Sequence, residues 1–337
     1  MRYPFASMLI ADIAPSMGIS VELEPEYKFA GELVFADGRR HLFRNTNFNV
    51  NPAGSTEIAK DKAYTSYFLR KHGFKVPDNK AFFSDKLNNN LPEERRRGRN
   101  SAIQYAVAMG LPVFVKPNNL SQGAFVTKAH SIEEIERVAK QIFEKTNVLL
   151  IEEFCAGHDY RIVVLGDAII SAYQRVPLSV VGDGKHTIDQ LLEFERDKLK
   201  SLGRPNSEIN PSDPRIDSKL LVLGKSKSSI PFLGENLTLM DSANLSTGGT
   251  SVDITDSIHT SFSEIAIKAT KALGLKLCGV DIITNDLAHD ASNQGWHIIE
   301  MNAAPGLDNY ASIGIAQQER VKSLYRQILE HLAMQYA

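Results

Sequence analysis

A chain of 337 residues is too long for one minimal domain and suits two packed lobes. Its 43% hydrophobic and 23% charged residues match an average globular chain, which excludes a disordered tail protein, a collagen-like repeat and a disulfide scaffold. With 38 basic against 40 acidic residues, the net charge of −2 gives no global field that favours nucleic acid or an acidic membrane. The two cysteines, Cys155 and Cys278, are flanked by apolar residues and read as buried thiols in a reducing compartment. The nine histidines show no metal-binding spacing. No apolar run approaches the ~18 residues that span a bilayer. The start, MRYPFASMLIADIAPSMG, is interrupted by Asp12 and Pro15 and makes a poor signal peptide. The expected location is cytoplasmic, with neither nucleic acid nor membrane as a partner.

Residues 1–60 read as small and strand-rich: 19–25, 31–36 and 40–45 carry β-formers, with Asp37-Gly38 as a hairpin signal. A helix is expected from Ser55, closed by Gly73. The polar stretch 85–99, with the basic run Arg95–Arg97, reads as an exposed connection. A helix then ends at Gly110, strands follow over 111–117 and 124–129, and Ser131 caps an acidic-start helix. Segments 148–154 and 160–176 are β-prone. Residues 183–225 carry a helix and a Pro-rich linker. The chain closes with a helix (261–273), strands (276–284 and 296–302) and a final helix (315–335).

Three constellations carry chemistry. In WHIIEMNAA, a period of two places Glu300 and Asn302 on one strand face. In LCGVDIIT, Asp281 sits in an apolar strand where a lone carboxylate is costly. A symmetric hairpin puts Asp281 opposite Ile299, and a one-residue slip or bulge would bring it face to face with Glu300. Two carboxylates and an amide oxygen make a hard site suited to Mg²⁺. Next, the apolar strand ending in Lys116-Pro117 runs into a turn, Ser121-Gln122-Gly123, where an ammonium and backbone amides can hold phosphate. A second such turn is NLSTGGT (244–250). GDGKHT (182–187) lacks the first glycine of a Walker A loop and is rejected. Last, in VLLIEEFCAGHDYRIVV, Asp159 follows a short turn after the strand that carries Glu152, so its carboxylate can accept from ribose hydroxyls.

Together, AKDKAYTSYFLRKHGFKVP, VVGDGKHTIDQLL, NLSTGGTSVDITD, CGVDIIT and IIEMNAAPG resemble the ATP-grasp carboxylate–amine ligases, over residues 55–310. The resemblance is to the ATP-grasp part of cyanophycin synthetase and of bifunctional glutathione synthetase. It implies an α+β ATP-grasp fold, with nucleotide sandwiched between two α+β lobes and a small amino-terminal, strand-rich substrate lobe at 1–60. The ATP-grasp domain would span 61–337, with a central lobe at about 103–155 and a carboxy-terminal lobe at about 156–337.

Carried over residue by residue, the resemblance makes Lys62 and Lys116 nucleotide-phosphate lysines, with Ser121, Gln122 and Gly123 the covering turn. It makes Glu152, Glu153, Phe154 and Cys155 the adenine hinge and Asp159 the ribose carboxylate. Arg161 and Gly306 are the catalytic assignments, one near the phosphates or acyl group and one facing the reacting carboxyl. Asp281, Glu300 and Asn302 are the metal ligands. The cofactors are ATP and Mg²⁺, with Mn²⁺ an acceptable substitute. The partners are amino-acid or peptide substrates, and a homodimer is compatible. The implied activity joins a carboxylate to an amine through an acyl phosphate. An ATP-grasp kinase, a precursor-peptide maturation ligase and a non-catalytic ATP-binding module are the alternatives. Two stretches depart from the family: the SQGAF turn has one glycine, and Met240-Asp241 stand where relatives carry arginine.

Overall fold

The structure is a computed structural model, and it describes residues 3–120, 123–201 and 209–334. Helix α1 (Phe5–Ile13) precedes an antiparallel sheet of β1 (Ser20–Leu23), β2 (Ala30–Val34) and β3 (Arg40–Arg44). Gly38, at φ 82°, makes the β2–β3 turn that Asp37-Gly38 signals. The single helix expected from Ser55 is two: α2 (Ala53–Lys60) and α3 (Lys62–Lys71). Asp61 breaks it. Its backbone is extended, and its side chain accepts from the Tyr64 amide at 2.9 Å, which caps α3.

A central four-stranded sheet and its helices follow as β4 (Asn79–Phe83), α4 (Asp85–Asn88), α5 (Arg99–Met109), β5 (Val113–Pro117), β6 (Thr127–Ala129), α6 (Ile132–Phe143) and β7 (Val148–Glu153). Its four strands pair antiparallel in the order β4-β7-β5-β6. Alternation decides the faces. Val113, Val115, Leu149 and Ile151 pack on α5 and α6, leaving Phe114, Lys116, Leu150 and Glu152 for the other face. Strand β6 is shorter than the β-prone 124–129 because Phe125 takes a left-handed backbone at φ 57°.

The rest of the chain holds β8 (His158–Leu165), β9 (Ala168–Val176), β10 (Ser179–Val181), α7 (Ile188–Ser201), α8 (Pro214–Val222), β11 (Asn236–Thr238), β12 (Thr250–Asp253), α9 (Thr260–Ala272), β13 (Leu277–Thr284), β14 (Trp296–Asn302), α10 (Asp308–Ala311) and α11 (Ile315–Met334). Helix α8 starts at the end of the Pro-rich linker expected over 204–215, of which 204–208 lie outside the described residues; Asp213 caps it and Pro214 takes its first position. A five-stranded antiparallel sheet, β12-β9-β8-β13-β14, is the scaffold. Ile162, Val164, Val280, Ile282 and Met301 point to one side, onto α9. On the other, Val163, Tyr173 and Leu277 share a core with α1, the amino-terminal sheet and α11. Among the described residues, no helix is long and apolar enough to cross a membrane.

Two register shifts shape this sheet. Asp281 pairs with Glu300 but Ile282 with Ile298, so Ile299 is an extra residue in β14. Val163 pairs with Ser171 but Val164 with Ile169, so Ile170 is extra in β9. Each bulge reverses which face the residues beyond it use.

Candidate active site

The first bulge puts Asp281 directly opposite Glu300, and Asn302 opposite Gly279, with all three side chains on one face. A regular hairpin would have paired Asp281 with Ile299. The second bulge pairs Asp159 with Arg175 in place of Gln174, and Asp281 faces Arg161 across β13 and β8. Four charged residues from three central strands and Glu300 from the edge strand therefore share one face.

Their contacts balance the charges. Asp281, fully buried, accepts from Arg161 Nε and Nη2 at 2.7 Å each and from Arg175 Nη2 at 2.8 Å. Such a carboxylate is tolerable in an apolar strand only because two guanidinium groups face it. Arg175 also holds Asp159, at 2.7 and 2.9 Å from Nη2 and 3.0 Å from Nε. Burial pushes the Asp159 carboxyl up to about 6, against the pull of Arg175. Glu300 meets Lys62 Nζ at 3.1 Å. Burial would raise its pKa, yet Lys62, backed by Arg161 and Arg175, lowers it to about 2. Asn302 points its amide at Asp281, 3.5 Å away. Asp281, Glu300 and Asn302 thus set two carboxylates and an amide side by side on this face, donors of the hard oxygen kind that suits Mg²⁺. A metal there must displace arginine and lysine partners.

Lys62 stands at the start of α3, where Asp61 and Asn118 lock helix to strand end. Asn118 Oδ1 accepts from the Ala63 amide at 3.0 Å, and its Nδ2 donates to Asp61 at 2.7 Å. Lys62 Nζ also donates to the Leu120 carbonyl at 3.0 Å, so it sits between the β5 turn and Glu300.

On the central sheet Lys116 and Glu152, both buried, form an ion pair at 2.5 Å. Glu153 instead ties β7 to the start of β4, accepting from the Asp78 amide at 3.1 Å. Phe154 lies under Lys128, whose Nζ is 3.5 Å from the ring centre. Burial pushes the Cys155 thiol up to about 12, so it is no thiolate nucleophile.

Ser121 and Gln122, of the turn expected to cover phosphate, lie outside the described residues. Gly123, at φ 65°, sits so close to Asn244 that a Cβ would fall 3.0 Å from its side chain, which brings the two glycine turns together. In NLSTGG the Ser246, Thr247 and Gly249 amides all close on Asn244. Arg215 of α8 donates to the Gly123 carbonyl at 2.8 Å, so an arginine reaches this turn from outside the Met240-Asp241 stretch. Asp241 pairs with Lys219 at 2.5 Å. Gly306 is exposed in the turn after β14. That turn packs over Gly279, where a Cβ would stand 3.2 Å from Pro305 and 3.3 Å from Arg161. In the rejected GDGKHT loop, Asp183 takes the Lys185 and His186 amides itself.

The structure therefore gathers Lys62, Asp159, Arg161, Asp281, Glu300 and Asn302, and places Lys116 with Glu152 on the second sheet. Sequence reasoning missed Arg175, Lys128 and Arg215. Arg175 faces Asp159 only because of the slip at Ile170, which alternation does not register; Arg215 had no local signal.

The fold is the ATP-grasp fold. Residues 69–186 match the family profile described as D-ala D-ala ligase C-terminus, and residues 241–323 match the RimK-like ATP-grasp domain. The chain is an ATP-grasp protein. It is 30% identical over 257 residues to the glutathione biosynthesis bifunctional protein GshAB of Clostridium perfringens, covering 74% of this chain and 31% of that one. It is 32% identical over 254 residues to the cyanophycin synthetase of Trichormus variabilis, covering 74% and 27%. The crystal structure of a bifunctional glutathione synthetase from Pasteurella multocida superposes with a TM-score of 0.60 at 26% identity, over 97% of this chain and 44% of that one. The chain spans about a third of the length of the curated relatives it matches.

Proposed function

We propose that this chain is an ATP-dependent ligase that joins the carboxylate of an amino acid or peptide to an amine, releasing ADP and phosphate. The observation that carries the reading is the convergence of Asp281, Glu300, Asn302, Arg161 and Lys62 on one sheet face beneath the NAAPG turn. A free carboxylate is a poor acylating agent. Its attack on the ATP γ-phosphate gives an acyl phosphate, which the amine then opens with loss of phosphate.

In this reading Lys62, Lys116 and Arg161 hold phosphoryl oxygens, and Asp159 accepts from the ribose. Asp281, Glu300 and Asn302 would hold Mg²⁺, which supplies charge compensation for phosphoryl transfer. Arg161 can move from carboxylate to phosphoryl oxygen without changing its protonation, because a guanidinium keeps its charge throughout. The NAAPG turn, close-packed on Gly279, walls the site from water that would hydrolyse an acyl phosphate. Residues 1–60 form the substrate lobe, and the likeness to glutathione and cyanophycin synthetases supports a small amino-acid or peptide substrate.

The test is a screen of amino acids and dipeptides for ADP release, repeated with hydroxylamine as the amine. A ligase releases ADP only when acid and amine are both present, and it yields a hydroxamate in the trap. ATP turnover that gives only a phosphorylated alcohol would replace the ligase reading with a kinase.

A further inference from the structure

Each cation assigned to phosphate here is already matched to a carboxylate: Lys62 to Glu300, Lys116 to Glu152, Arg161 to Asp281. Arg175 differs. Among the described residues, it alone contacts both Asp159 and Asp281, the carboxylates assigned to ribose and to metal. One Nη2 serves three carboxylate oxygens, at 2.7, 2.9 and 2.8 Å, and its side chain is only 13% exposed.

We propose that Arg175 is a positioning residue that makes nucleotide and metal binding depend on each other. This rests on the ATP-grasp reading of the site. A divalent ion arriving alone at Asp281 meets Arg161 and Arg175 on the same oxygens, with no anion to draw them off, so like charges oppose it. A triphosphate arriving alone draws the guanidinium groups away and strands Asp281, buried and unpaired. When both arrive, the partners exchange: phosphate takes the arginines and metal takes the carboxylates. Arg175 links this exchange to Asp159, because ribose hydroxyls that donate there displace the guanidinium from its second carboxylate. The coupling belongs in the range of tenfold to about a hundredfold.

The experiment counts free Mn²⁺ in titrations of the full chain, without nucleotide and with a non-hydrolysable ATP analogue, after subtracting chelation in free solution. In the unmodified protein the analogue should tighten Mn²⁺ binding at least about tenfold. In Arg175→Gln, Mn²⁺ alone should bind about tenfold more tightly, and the enhancement by nucleotide should shrink by a similar factor. A merely structural role for Arg175 would weaken both ligands instead. Unchanged or weaker binding of Mn²⁺ alone, with the enhancement intact, overturns the proposal. If Arg175→Gln does not fold, Arg175→Lys keeps the charge but loses the fork that spans two carboxylates, and an unchanged enhancement there overturns the proposal equally. If the unmodified protein binds no ATP analogue, with or without Mn²⁺, the ATP reading of the site falls first.

Discussion

The two sheets that carry the proposed nucleotide contacts solve the same problem differently. The central sheet buries one lysine against one glutamate: Lys116 and Glu152 sit diagonally on adjacent, regular strands. The carboxy-terminal sheet buries Asp281 and half-buries Asp159, Arg161 and Arg175, with Glu300 at its edge, and needs a bulge on each side of β8 and β13 to aim them. A pair can be placed by alternation alone. A network whose members come from several strands needs the register to slip, because regular pairing would send Arg175 and Glu300 to the α9 side. In the proposed nucleotide site the first arrangement would lose one contact to an arriving phosphate, whereas the second would have to reorganise as a unit.

The largest effect should come from Asp281→Asn, which leaves Arg161 and Arg175 facing a neutral amide. Removing one member of a buried ionic cluster costs about 3–5 kcal/mol, so a clear fall in the thermal midpoint is expected. Turnover should also be lost, since metal compensation is worth several kcal/mol in the barrier. A variant with wild-type melting and turnover would mean that the network is not what the contacts indicate.

Lys116→Met isolates the simpler sheet. It strands Glu152 and should destabilise by up to about 3–5 kcal/mol. It should also weaken ATP more than AMP, because the assigned partners of Lys116 are the outer phosphates. Calorimetric titration of both nucleotides checks this, and equal losses would remove Lys116 from the phosphates.

Much of this contrast was legible in the sequence. Period-two alternation put Glu300 and Asn302 on one face, and the misfit of Asp281 in an apolar strand marked it as paired or ligating. The bulge at Ile299 was an open alternative, because a hairpin's register depends on its loop, and the loop from Asn285 to Gly295 has no short-turn signature. Arg175 was invisible for the same reason: the slip at Ile170 decides whether it or Gln174 faces Asp159. The linker expected over 204–215 hides the start of α8, because its prolines dominate the window although Asp213-Pro214 is a helix-start signal. Asp61 likewise split a helix through its side chain, a local competition that periodicity does not register.

Two smaller effects sharpen the comparison. Gly279→Ala places a methyl 3.2 Å from Pro305 and 3.3 Å from Arg161, so the NAAPG turn must shift. A cost of about 1–3 kcal/mol is expected from overpacking. Turnover should fall while ATP affinity holds, and steady-state kinetics beside nucleotide titration would separate the two. Lys128→Ala removes the ammonium above Phe154 and should change nucleotide affinity by only about 0.5–1 kcal/mol. A tenfold or larger loss would make Lys128 a principal nucleotide contact.

The central claim is that a carboxylate, and no other nucleophile, takes the γ-phosphoryl group of ATP on this sheet face. Once the substrate screen identifies an acid, that acid can be supplied with ¹⁸O in its carboxyl group, and the phosphate released during amide formation can be weighed by mass spectrometry. An acyl-phosphate route transfers one labelled oxygen to phosphate for each amide bond made. Amide formation with unlabelled phosphate would contradict the account, because the carboxylate would then never have been joined to the phosphoryl group.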